Sequence, residues 1–219
     1  MRRLILAGLL VLTLGAAPPA AAHHRDSPLR PAGQAVHGAS PGEWFGRWWE
    51  AVLETSSPFE AYPGCVALGR RTVGVVFPPD GGEASCTVRK GSTLVVVPEA
   101  SLCSDYEDPP FHGDTPAERR ACAIGLDAGA ILQEVTVDGR RVRLTDAHRA
   151  QTPDGRATLP DDNLLGAPAG TRIRFGADGW VAFTKPLARG HHEIVVRATG
   201  VFLGAPYELI GLLHVEAVR

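Results

Sequence analysis

The sequence predicts a mainly β fold: an immunoglobulin-like β-sandwich with an N-terminal aromatic helix, a second short helix and two disulfides. Three observations carry this prediction. Short β-branched runs recur between Gly, Pro and Asp turns, about seven to nine of them, as a two-sheet sandwich requires. One helical segment near the start holds three of the four tryptophans. Four cysteines, an even number, lie in the part of the chain that follows a secretory leader.

Met1 to Ala22 has the form of a signal peptide. Arg2 and Arg3 supply the positive start, Leu4 to Leu14 the apolar core, and Ala20-Ala21-Ala22 the small-residue cleavage site. The apolar core is shorter than the roughly 20 residues that span a bilayer. The expectation is therefore a secreted, extracellular protein cleaved near Ala22, with no membrane segment in its mature part. Residues 23–39, rich in Pro, Gly, Ala and His, read as a flexible leader. Residues 40–219 then form one domain. The formal net charge of −2 becomes more negative once Arg2 and Arg3 are removed, which argues against nucleic acid as a partner.

Ser40 to Thr55 reads as a helix. Ser40 caps it, Pro41 occupies the first turn and Glu43 completes a capping box. Trp44, Trp48 and Val52 recur at a spacing of four, as do Phe45, Trp49 and Leu53, so they share one broad apolar face. That face has two uses: to dock the helix on a sheet, or to present Trp44, Trp48 and Trp49 as a ligand-binding platform. Pro58 ends the helix. Gly38-Ala39-Ser40-Pro41-Gly42 matches the G-x-S-x-G of serine hydrolases, but Pro41 has no N–H for an oxyanion hole and no strand precedes Ser40.

The strands follow. Thr72–Phe77, Ser85–Arg89 and Thr93–Val97 are rich in β-branched residues. Thr115-Pro116-Ala117-Glu118 opens the second helix, with Cys122, Ile124 and Leu126 assigned to its inner face. Leu132–Leu144 is a hairpin turning at Asp138-Gly139. A long loop runs from Thr145 to Gly170, where Asp161-Asp162-Asn163 forms a turn or caps the next segment. Arg172–Phe175, Trp180–Thr184, Glu193–Ala198 and Tyr207–Val218 complete the strands. His191 and His192 enter a strand, so alternation sends their rings to opposite faces.

Cys65, Cys86, Cys103 and Cys122 allow three pairings. Cys65–Cys86 with Cys103–Cys122 is favoured, because each closes a loop of about 20 residues, worth roughly 3 kcal/mol. Without a C-x-x-C pair, zinc is disfavoured. Asp105, Glu107 and Asp108 are weak candidates for a metal site in an acidic loop that matches no EF-hand. The sequence carries no cofactor fingerprint.

Several phrases in one order resemble a family of bacterial secreted proteins. They include Gly42-Glu43-Trp44, Arg47-Trp48-Trp49, Cys86-Thr87-Val88, Arg120-Ala121-Cys122, Val137-Asp138-Gly139-Arg140 and Leu159-Pro160-Asp161-Asp162-Asn163. The resemblance implies a single secreted domain of β-sandwich character and brings no catalytic residues. The function expected is non-enzymatic binding of an extracellular glycan or protein. The alternatives are a hydrolase or lyase using carboxylates such as Glu50, Glu99 and Asp105, and a purely structural secreted domain.

Overall fold

The computed structural model describes residues 27–56, 64–77 and 81–219. The signal peptide, the first residues of the leader and Pro58 lie outside this range. The chain is mainly β, in two mixed sheets with two short helices. Its elements are α1 (Pro41–Leu53), β1 (Cys65–Gly69), β2 (Thr72–Val75), β3 (Gly82–Arg89), β4 (Thr93–Ser104), α2 (Pro116–Leu126), β5 (Ala130–Val137), β6 (Arg140–Arg143), β7 (Arg149–Gln151), β8 (Gly155–Thr158), β9 (Arg172–Phe183), β10 (Gly190–Phe202) and β11 (Ala205–Val218). The first sheet runs β1-β2-β4-β9-β7, with β8 also on β9, and the second runs β3-β11-β10-β5-β6. Two pairings are parallel, β2 with β4 and β3 with β11.

The first sheet is central because both of its faces are covered. Val95 and Val97 of β4, with Ile173, Phe175, Val181 and Phe183 of β9, pack with the aromatic face of α1. Leu94 and Val96 of β4, with Trp180 and Ala182 of β9, pack against Val135, Ile194, Val196, Leu213 and Val215 of the second sheet. A strand covered on both sides reads as an unbroken apolar run, which explains Thr93–Val97. β5, β10 and β11 bury one face only, and their sequences alternate.

α1 forms as its sequence dictates. Ser40 accepts from the Glu43 amide, Glu43 accepts from the Ser40 amide, and Pro41 sits in the first turn. All three tryptophans are buried, as are Phe45, Val52 and Leu53. Trp44 donates to the Val36 carbonyl and Trp48 to the Val75 carbonyl, each at 2.7 Å. The rings of Trp48 and Trp49 meet edge-on, 5.0 Å apart. Gly74 permits this docking, since a Cβ there would lie 2.7 Å from Trp48 Cδ1. The apolar face of α1 docks in the core, and docking removes most of the three indoles from water.

Both disulfides pair as favoured, Cys65–Cys86 and Cys103–Cys122. The first ties β1 of the central sheet to β3 of the second, and the second ties β4 to α2. The hairpin turns at Asp138-Gly139, where both residues have positive φ (49° and 73°), as a type I′ turn demands. His191 is exposed, while His192 turns in to contact Asp138 and the Ala188 carbonyl.

Four expectations need correction. Residues 27–39 are not a flexible leader: Leu29 bridges to Thr184, and Leu29, Val36 and Ala39 are buried. Their scattered apolar side chains fill gaps beside β9 and α1, which no periodicity reveals. The strands expected on either side of Gly176 are one strand, β9, because its small residues face close neighbours rather than a turn. The loop 145–170 contains β7 and β8, and Asn163 organises its later part through hydrogen bonds with Pro160, Leu165 and Ala167. Finally, α2 buries Arg119 and Ala123, while Cys122, Ile124 and Leu126 are half-buried. Arg119 is tolerated inside because it donates to Gly113 O, Asp114 O and Asp154.

Candidate binding cleft and its buried carboxylates

The site begins with an irregularity in β4. The β4–β9 register shifts between Val96 and Glu99, a bulge with Pro98 inside it. Before the bulge the even-numbered residues of β4 face the second sheet. After it Glu99, Ser101 and Cys103 take that face, opposite Trp180, Asp178 and Gly176. Ala100 and Leu102 join the α1 side. One extra residue thus aims a carboxylate and a hydroxyl into the space between the layers.

The same stretch lies on an open edge. β2 pairs with β4 only across Thr93–Val95, and Pro98 has no N–H to offer a further strand. Beyond that pairing, α1 and the second sheet come together across the edge of β4. A cleft of about 280 Å³ opens there. Trp48, Trp49 and Val52 form one wall, Ala198, Tyr207 and Leu209 the other, with Val97 to Ala100 between them. Among the described residues that line the cleft, Glu99 is the one carboxylate. A shallower depression adjoins it, sharing Glu99, Ala100, Tyr207 and Leu209, and adding Ser101, Phe202 and Glu208.

Behind Glu99 stands a buried polar network drawn from six elements. Gln133 of β5 donates to Glu99. The Tyr207 hydroxyl is buried beside the same carboxyl without a well-formed hydrogen bond. Ser101 donates to Asp127, which follows α2, at 2.5 Å. Asp178 of β9 receives Arg149 of β7 at 2.6 Å, and Arg149 lies 5.0 Å from the centre of the Trp180 ring. Asp127 is 2% exposed and Asp178 is fully buried.

Electrostatics follow from this burial. Loss of water pushes the Glu99 carboxyl above its ordinary range, against the opposing pull of Tyr207, Gln133 and Arg149. Desolvation raises Asp127 further, to about 8, with Asp178 and Glu99 adding like-charge repulsion. Burial and the adjacent Glu99 also raise Tyr207. Asp127 Oδ2 and Asp178 Oδ1 are both buried without a donor. A proton held by Asp127 gives this pair the donor it lacks, while Arg149 donates to the other oxygen of Asp178, Oδ2.

The sequence-predicted residues are dispersed by comparison. Trp48 and Trp49 line the cleft, and Trp49 Nε1 is buried without a partner. Trp44 does not reach the cleft and stacks instead under Arg47. Glu50 and Asp105 share a different depression from Glu99, so the three carboxylates do not form one catalytic set. Asp105 caps the Arg174 amide, and the Ser104 side chain holds Glu107. Among the described residues, no three His, Cys, Asp or Glu side chains gather as metal ligands, Asp105, Glu107 and Asp108 included. Asp127, Asp178, Gln133, Ser101 and Arg149 were missed. The available signal was a polar residue on an otherwise apolar inward row: Gln133 before Val135 and Val137, Asp178 before Trp180 and Ala182.

Scanned against known protein families, the chain matches none, and no curated protein matches it. Among solved structures it is similar to the solution structure of Amebosin, with 14% identity over 69% of this chain and all of that chain, at a TM-score of 0.22. At that score the likeness carries no argument. No helix among the described residues is long and apolar enough to cross a membrane.

Proposed function

We propose that this is a secreted, non-enzymatic binding protein of immunoglobulin-like character. Its ligand is a small, largely apolar molecule bearing one polar group, held in the cleft between α1 and β11. The observation that carries this reading is the cleft itself: indole, aliphatic and tyrosine walls around the Glu99 carboxyl, which burial raises above its ordinary range. The two disulfides suit an oxidising compartment and support export. A flat glycan needs exposed rings to stack on, and the buried tryptophans favour an entering ligand instead. Carboxylate-pair hydrolysis needs two carboxyl groups facing the substrate. Here Asp127 and Asp178 are walled off behind Glu99, and Glu208, in the adjoining depression, is paired with Arg197.

The test is a thermal-shift and tryptophan-fluorescence screen of the oxidised protein against medium-chain alcohols, acids and aromatic esters. A ligand at a hundred times its Kd stabilises the native state by about 2.7 kcal/mol. The expected hit raises the unfolding midpoint, alters the emission of Trp48 and Trp49, and is weakened at least tenfold by Tyr207→Phe. A screen in which only soluble glycans or a protein partner raise the midpoint, with tryptophan emission unchanged, overturns the cleft as the binding site.

A further inference from the structure

A second surface, remote in character from the apolar cleft, is rich in guanidinium groups. In the antiparallel β8–β9 pair, Arg156 lies opposite Arg174 and Thr158 opposite Arg172. Opposed residues of an antiparallel pair share a face with Cβ atoms about 5 Å apart, and residues two apart on a strand follow about 7 Å along it. Three arginines therefore stand on one small area of strand.

Three of the nearby acids have other partners. Asp154 pairs at 2.6 Å with the buried Arg119 and reaches Arg174 only at 3.9 Å. Asp105 accepts from the Arg174 amide at 2.8 Å, and Glu54 accepts from the Thr158 amide at 3.1 Å. Both carboxylates are thus fixed by backbone rather than spent on guanidinium groups. Glu50, Glu54 and Asp105 line the same open depression of about 440 Å³ as the three arginines.

We propose that this depression binds an anionic polysaccharide. The arginine forks take its carboxylate or sulfate groups as bidentate partners. The fixed carboxylates accept hydrogen bonds from its hydroxyls, which are the other half of sugar chemistry. Single-stranded DNA, with few free hydroxyl donors, leaves those carboxylates without partners. This inference is independent of the ligand in the apolar cleft.

The test measures binding of the oxidised protein to heparin and to polygalacturonate at low and moderate salt, with single-stranded DNA as a competitor polyanion. The expected result is polysaccharide binding that weakens as salt rises and falls at least tenfold in Arg156→Ala/Arg172→Ala. Arg141→Ala/Arg143→Ala, on β6 of the other sheet, retains it, and so does Tyr207→Phe. All of these arginines are exposed, so matched unfolding midpoints certify the fold. Failure of wild type to bind either polymer at low salt, an equal loss in the β6 variant, or equally tight binding of DNA would each overturn the proposal.

Discussion

The two halves of β4 differ in what they bury. From Thr93 to Val97 the strand packs apolar side chains on both faces, against α1 on one side and the second sheet on the other. From Glu99 to Ser104 it carries a carboxylate and hydroxyls into the interior, beside two buried aspartates. The first half lowers the free energy of the fold, while the second raises it, since each buried polar group costs energy unless it is well partnered. The bulge at Pro98 is the boundary. A protein selected for stability alone would fill the second half with valine and leucine. A cleft opens at this costly half, where β4 loses its neighbour strand.

Truncating the apolar side gives the largest expected effect. Trp48→Ala removes a ring that packs on Phe45, Trp49 and Gly74, and is expected to cost about 3–5 kcal/mol in denaturant unfolding. A cost below about 1 kcal/mol would mean that α1 is not an anchor. Next comes the covalent tie between the sheets. Replacing Cys65 and Cys86 by alanine is expected to cost roughly 3 kcal/mol, read as a lower unfolding midpoint, because a closed loop is released in the unfolded chain. A midpoint within a degree of wild type would show that the layers hold without it.

Legibility in the sequence divides along the same line. α1 could be read because its cap, its proline and its four-residue spacing all agree, and these are local signals. The disulfides followed from loop length, and the β5–β6 turn from Asp138-Gly139. The central strand core was visible in Thr93–Val97. What escaped depends on distant pairing. The bulge exists because β9 holds β4 in two registers. Leu29 and Val36 are core residues only because β9 and α1 leave space for them. The polar network draws Glu99, Asp127, Gln133, Arg149, Asp178 and Tyr207 from six places in the chain. Their nearness is a product of topology, and no spacing rule reaches it.

The most direct test of the buried-carboxylate account is stability against pH for wild type and Asp127→Asn. A carboxyl raised to about 8 from 3.8 binds a proton in the folded state that it lacks when unfolded. Its favourable contribution is complete below about pH 4 and is lost as pH rises towards 8. Asparagine at 127 keeps an acceptor for Ser101 and offers Asp178 a permanent donor. Urea unfolding between pH 5 and pH 9 is therefore expected to show wild type weakening relative to the variant as pH rises, the gap levelling off above about pH 8. Parallel curves, with a gap between the two proteins that does not change with pH, would contradict the claim that Asp127 holds a proton between the layers.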